Sequence, residues 1–281
     1  TLRSKISGSG TRHMQIILPI LCFGMFLDLL TSLFILYPNL FFLNWLGNED
    51  EVRLRMLRLA RVAVIALTVL TLLYFDLATR TKVLSPTVTW GHRGLLGGTV
   101  GMPLVLALAC FTATAVKYLL PIPATLVCLG AVAGLNLAWK HGSRLECLGW
   151  SIITSSLFAG MMIGMYAFDG PLPAPATMEH YQDLPRRLLR IGHAYAIVLG
   201  ILTLFLAERF QKQQSLHRIR KLGLGIYIGS MATTLSIMTL LAWTVVPFWA
   251  AAIGPAGTAL GLLLCVTNTR PGSAPMISAT N

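Results

Sequence analysis

Asp28 lies in the middle of an unbroken apolar run, residues 15–37, and is the first residue whose chemistry demands an account. A carboxylate is costly inside a bilayer, so one found there serves a partner, a proton or a ligand. Arg61 and Lys117, at the ends of two later apolar runs, are the basic residues expected near its depth. Two readings are open: an Asp28–Arg61 pair that fixes helix register, or a group that meets a ligand. A second cluster is Arg186, Arg190 and His193, spaced i, i+4, i+7 and so on one helix face. It adjoins a loop, 169–185, that carries acids, prolines, His180 and Tyr181. Either the arginines pair with Glu179 and Asp183, or they hold an anionic or quinone-like headgroup with His193 as hydrogen-bond partner.

Haem ligation is a further chemistry to weigh, because it needs His or Met at matched depth on facing helices. His193 with Met165, and His92 with His141, are the pairs the sequence offers. Neither is a pair of histidines buried in two helices, and Met161, Met162 and Met165 also suit core filling. No Walker loop, dinucleotide fingerprint, H-E-x-x-H or G-x-S-x-G is present. The paired acids that metal-dependent transfer chemistry would need are missing too, so no catalytic residue is assigned and the balance is against an enzyme.

The elements that must position these residues follow from composition. Of 281 residues, 55% are hydrophobic and 11% charged, against roughly 25% charged in soluble domains. Mean hydropathy is +0.71. The apolar residues form blocks near 15–37, 58–78, 96–118, 121–139, 148–167, 188–207, 222–243 and 248–267, each about the 20 residues a spanning helix requires. The expected fold is therefore all-α: a polytopic membrane bundle of eight transmembrane helices. Pro121 and Pro123 separate the third block from the fourth, and Pro247 separates the last two.

A net charge of +12 falls in short loops between apolar blocks, which points to topogenic charge and anionic lipid, not to nucleic acid. With the N-terminus inside, fourteen of the 22 lysines and arginines lie on the cytoplasmic side. Both termini are thus expected in the cytoplasm and the chain in the cell's inner membrane. Residues 1–14 read as a polar arm or the remnant of an appended tag, and 269–281 as a polar tail. The five cysteines include no C-x-x-C pair and read as inert side chains. Small residues recur four apart at Gly97/Gly101, Gly130/Gly134, Gly160/Gly164, Gly225/Gly229 and Gly257/Gly261, the spacing that lets helix backbones approach closely in lipid.

An offset of 132 residues places Arg55 to Arg61 on Arg187 to His193, then Ile65, Leu67, Leu70, Thr71 and Leu72 on identical types, and Asp76 on Glu208. The expected organisation is a four-plus-four parallel repeat, 15–140 and 145–268, with a cleft between the halves. With Tyr37-Pro38 after its first span, an Arg-led second span and a Pro-bounded turn between spans three and four, the first half resembles the DoxX-like four-helix membrane proteins. That resemblance implies a membrane bundle and, for some members, association with quinone-dependent redox complexes; it assigns no catalytic residue.

Three functions stay open. The first is a non-catalytic accessory subunit of a larger respiratory or electron-transfer membrane assembly, with other membrane subunits as partners and no open cavity. The second is a binder or transporter of a small molecule, lipid or quinone in an outer-half cleft, using Asp28, Arg61, Lys117, Arg186, Arg190 and His193. The third is a haem-binding redox protein. The charge pattern makes one direct prediction: a reporter fused after Asn281 will read as cytoplasmic, and one inserted in loop 169–185 as external. The reverse pattern would invert the topology.

Overall fold

A computed structural model describes residues 22, 25, 26, 51–83, 85–166, 183–211, 218–243 and 250–267. Among these, seven α-helices and one 3-10 turn follow in order. They are α1 (Glu51–Thr81), α2 (Pro86–Phe111), the 3-10 turn (Thr114–Leu119), α3 (Pro121–His141), α4 (Arg144–Tyr166), α5 (Leu184–Gln211), α6 (Arg218–Trp243) and α7 (Ala250–Thr267). Five stretches are long and apolar enough to cross a membrane: Arg55–Thr81, Pro86–Phe111, Thr114–His141, Arg144–Gly164 and Leu184–Phe210. The chain is a multi-pass helical membrane protein. The seven helices overlap the second to eighth expected apolar blocks, but only the first five lie in stretches long and apolar enough to span; the first block, with Asp28, lies outside the described residues except for Cys22, Met25 and Phe26, which are helical and exposed.

Several helices start earlier than hydropathy suggests, because a charged side chain ends an apolar run without ending a helix. Arg93 bounds the apolar block at 96, yet α2 begins at Pro86. Pro86 suits a first helical turn, and the Ser85 hydroxyl accepts the Val88 N–H at 3.3 Å, satisfying a donor the helix leaves open. Arg93 stays exposed, 5.7 Å from the ring centre of Trp90. Pro121 likewise sits in the first turn of α3, after the 3-10 turn.

The chain divides into two units, residues 1–175 with 193–207, and 176–192 with 208–281. In the first, successive helices run antiparallel. Met56, early in α1, packs with Leu106 and Ala109 late in α2, while the Thr71 and Thr99 hydroxyls meet at 2.8 Å midway. The core centres on Tyr74 of α1 and Trp150 of α4, both fully buried, with ring centres 6.1 Å apart edge to face. Leu77, Leu95, Leu137 and Ile153 close around them. The Tyr74 hydroxyl donates to the Val88 carbonyl at 2.9 Å, as a buried phenol must.

Close approach uses only some of the expected small-residue pairs. Gly134 lies flat on Trp150, where a Cβ would sit 2.7 Å from the indole, and Gly130 lies on Leu95. On α2 the tight face is Gly91, Gly94 and Gly98, against Ala133, Leu126 and Val127; Gly97 and Gly101 have looser contacts. Among the described residues, none comes within 4 Å of a Cβ placed at Gly225 or Gly229. The spacing rule finds candidate faces, but which face meets a neighbour depends on helix rotation, and large residues across the seam set that.

Within the second unit, α6 and α7 form an antiparallel hairpin. Gly223, Tyr227, Ser230 and Thr234 of α6 meet Leu264, Gly261, Gly257 and Gly254 of α7 in order. Thr234 and Thr258 each turn their hydroxyls back to carbonyls one turn earlier, at 2.7 and 2.6 Å, so these two donors are met within their own helices.

At the far end of the first unit, Arg80 of α1 bonds both Asp76 on its own helix, at 2.7 Å, and Glu146 of α4, at 2.8 Å. Glu146 is 2% exposed. It also caps α4: its Oε2 accepts the Ser143 N–H at 2.7 Å, and the Ser143 hydroxyl accepts the Glu146 N–H at 3.2 Å, a reciprocal capping box. Removing Arg80 takes the ionic partner from a buried carboxylate and leaves it the Ser143 N–H, whereas removing Glu146 leaves a part-exposed guanidinium that keeps Asp76. Breaking a buried pair from its costly side is worth about 3–5 kcal/mol. Arg80→Ala is therefore expected to lower thermal stability in detergent well below Glu146→Gln, measured by differential scanning fluorimetry; equal losses would remove the pair from this role.

Candidate functional site

The half of the first unit around Tyr74 and Trp150 is filled by large side chains. The opposite half, toward Lys117, is not. There α1 turns Ala63 and Ala66 inward, α3 contributes Ala124, and α4 contributes Gly160 and Gly164. These small residues leave a cleft of about 480 Å³, within the range of small-molecule sites, about 300–1,000 Å³. Leu59, Val62, Met102, Leu106, Leu157, Met161 and Ile197 make most of the remaining wall. Leu59 and Val62 are themselves exposed on α1, so the cleft reaches the bundle's lipid-facing side.

Few polar groups line it. Lys117 and Tyr118 come from the 3-10 turn that the Pro121 helix start makes necessary, and the Lys117 ammonium lies 5.4 Å from the Tyr118 ring centre. Such a cation beside an aromatic ring suits a membrane–water boundary. Thr125 donates its hydroxyl to the Pro121 carbonyl at 2.8 Å. Cys128 adds a thiol.

His193 of α5 is the fifth polar group, held by a reciprocal clamp on α4. Its Nδ1 lies 2.7 Å from the Ser156 carbonyl oxygen, and the Ser156 hydroxyl donates to the His193 carbonyl at 2.8 Å. A carbonyl only accepts, so Nδ1 carries a hydrogen, and in the neutral ring Nε2 is the lone-pair nitrogen. The ring lies directly on Gly160, and any Cβ there would collide with it. Among the described residues, none bonds to Nε2.

Of the residues singled out in the sequence, Lys117 and His193 share this cleft. Arg61 is on α1 beside the wall residue Val62 but is not itself part of the wall. Arg186 and Arg190 belong to the part of α5 grouped with the second unit, Arg186 being buried, and are not among the lining residues. Asp28, Glu179, His180 and Tyr181 lie outside the described residues, as does the side chain of Met165. His92 packs its ring on Phe75, centres 4.0 Å apart, and His141 is exposed at the end of α3. Gly91, next to His92, packs on Ala133, eight residues before His141, so the two histidines are separated by about 12 Å along the helix axis. That is not the matched depth that axial haem ligation requires. Among the described residues, no three His, Cys, Asp or Glu side chains gather as a metal site.

The sequence did not single out Ser156 or Cys128. Ser156, Gly160 and Gly164 are four apart, and that run of small residues beside a histidine-bearing helix was the available signal.

No family model, curated protein or solved structure matches the chain. The likeness of its first half to DoxX-like proteins therefore rests on the residues quoted for it alone.

Gly160 and Gly164 make a matched pair for testing the clamp. A Cβ at 164 meets nothing within 4 Å, so Gly164→Ala is expected to be neutral or mildly stabilising, as helical Gly→Ala commonly is. Gly160→Ala displaces His193 and is expected to cost about 1–3 kcal/mol, the usual range for overfilling a packed site. Thermal unfolding in detergent reads both; equal behaviour would mean the ring does not rest on α4.

Proposed function

We propose that this membrane protein binds a lipid-soluble small molecule in the cleft between α1, α3, α4 and α5. The cleft itself carries the reading. A non-catalytic accessory subunit of a larger electron-transfer assembly is expected to bury its surfaces without an open cavity, whereas a binder or transporter requires one. The cleft's size and apolar walls fit a single chain or ring system better than the two chains of a phospholipid, and they fit quinone-like molecules as well as simple lipids.

The reading includes an orientation. With both termini cytoplasmic, the Lys117 end faces outward and the occupant comes from the outer leaflet of the inner membrane. Exposed Trp90, Trp139 and Lys140 at the other end then form the cytoplasmic boundary, where aromatic and basic residues meet anionic headgroups. The reading also includes the eight-span count and the four-plus-four duplication. Thr71 and Thr203, 132 residues apart, support the latter: both are buried, and each donates to a leucine carbonyl four residues back, Leu67 and Leu199, at 2.8 and 2.7 Å.

Cys128 reports occupancy. In a variant whose other four cysteines are replaced by alanine, Cys128, buried on the cleft wall, is expected to be labelled by a membrane-permeant maleimide in nanodiscs slowly but measurably, over hours. Gly164→Leu, which fills the cleft from its open side, is expected to slow that labelling at least fivefold while the protein stays folded. Lipid extracted from the purified protein should contain a species enriched over bulk membrane lipid, and less of it from Gly164→Leu. Labelling and lipid content unaffected by Gly164→Leu would refute the reading. A Soret band in the purified protein would reassign the cleft to haem.

A further inference from the structure

We propose that the molecule held in the cleft is an uncharged amphiphile that presents a hydroxyl group, as in a long-chain alcohol or an alkylated phenol, to Nε2 of His193. The inference rests on the cleft-binding reading and gives it a headgroup chemistry.

The geometry of the clamp is what selects. Because Nδ1 donates to the Ser156 carbonyl at 2.7 Å, the neutral ring has only a lone pair left to offer. A lone pair recognises a hydrogen-bond donor. An ether, a ketone or a carboxylate brings only acceptors and gains nothing from it. Swapping tautomers to suit an acceptor would exchange the 2.7 Å bond to the Ser156 carbonyl for a longer one from the Ser156 hydroxyl, 3.1 Å from Nδ1, and would take that hydroxyl from the His193 carbonyl, while Gly160 holds the ring flat on α4.

The other wall groups are placed differently. Thr125 donates its hydrogen to the Pro121 carbonyl and keeps an acceptor oxygen, but it is exposed on α3, whereas His193 is partly buried on α5. Lys117 and Tyr118 stand at the end of the cleft, on the 3-10 turn. Cys128 is a poor acceptor. Around His193 the wall is Leu157, Gly160, Met161 and Ile197, and such surroundings suit a neutral occupant, because an ion there would lose its hydration without a partner in return. A hydroxyl with an apolar body matches both features: its hydrogen meets Nε2 and its body fills the volume that Gly164 and Ala124 leave.

The test compares four molecules of one chain length: 1-dodecanol, dodecyl methyl ether, dodecane and dodecanoate. Each is titrated into nanodiscs holding the variant with Cys128 as its single cysteine, and the mole fraction that halves the labelling rate is recorded. The alcohol is expected to protect at about three- to tenfold lower mole fraction than the ether or dodecane, the margin a single hydrogen bond supplies. In His193→Phe that margin should vanish while dodecane still protects. Equal protection by alcohol and ether in the wild-type site overturns the hydroxyl assignment and leaves the cleft-binding reading intact. Strongest protection by dodecanoate also overturns it, in favour of an anion held at the Lys117 end. If none of the four protects, the hydroxyl assignment and the cleft-binding reading fall together. The wild-type series decides the matter even if His193→Phe does not fold.

Discussion

A hydrocarbon interior offers no hydrogen bonds, so every polar group carried into it must be met by the protein itself. This constraint orders the first unit. Threonines 68, 71 and 203 return their hydroxyls to carbonyls one turn back, and Thr154 reaches across to the Ala131 carbonyl. Tyr74 is tied to Val88, and Ser156 to His193. Each bond removes a desolvation cost, and those that cross between helices, Thr154 to Ala131, Tyr74 to Val88 and Ser156 to His193, also fix the rotation of one helix against another. Polar side chains thus act as register marks in a bundle whose apolar surfaces, facing equally apolar lipid, carry little orientational information.

Side-chain volume is distributed unevenly along the bundle. One half is filled by Tyr74, Trp150 and the leucines around them, with glycines on α2 and α3 drawing the backbones close. The other half replaces large residues with alanine and glycine and stays open. The two halves differ in what the small residues face: Gly134 receives a tryptophan, whereas Gly164 meets none of the described residues. The same residue type therefore closes the bundle at one level and hollows it at another.

Much of the fold was legible in the sequence, because long apolar blocks in a chain so poor in charge have few other solutions. Seven described helices fall on seven of the expected apolar blocks, five of them long and apolar enough to span. Helix ends were less legible: Arg93 and Arg144 punctuate hydropathy but lie within α2 and α4, since Ser85 and the Ser143–Glu146 box, not charge, start those helices. The site was legible in part. His193 and Lys117 stood out as polar residues in apolar surroundings, and they share a cleft. The arginines at 186 and 190 are one and two turns from His193 on the same helix face, yet they are not in the cleft wall, which helical spacing alone could not foretell. Nor could spacing reveal Ser156 as the clamp, because a serine in an apolar helix ordinarily bonds its own backbone. Glu146 escaped notice for a related reason: its partner Arg80 is 66 residues earlier, on a helix that only folding brings alongside.

That long-range pairing bears on how the chain is assembled. A membrane protein made and inserted from its N-terminus acquires α1 before α4, and Arg80 must wait through two intervening helices for Glu146. During that interval Arg80 is neutralised by Asp76, a single turn away. Glu146, once made, shelters in the cap of its own helix through Ser143. Each ion thus has a local companion that lets its segment be delivered separately, and the contact between them can form only once α4 has arrived. The Arg80–Glu146 bridge works as a latch between α1 and α4, and its two local companions make the unlatched helices tolerable to the membrane.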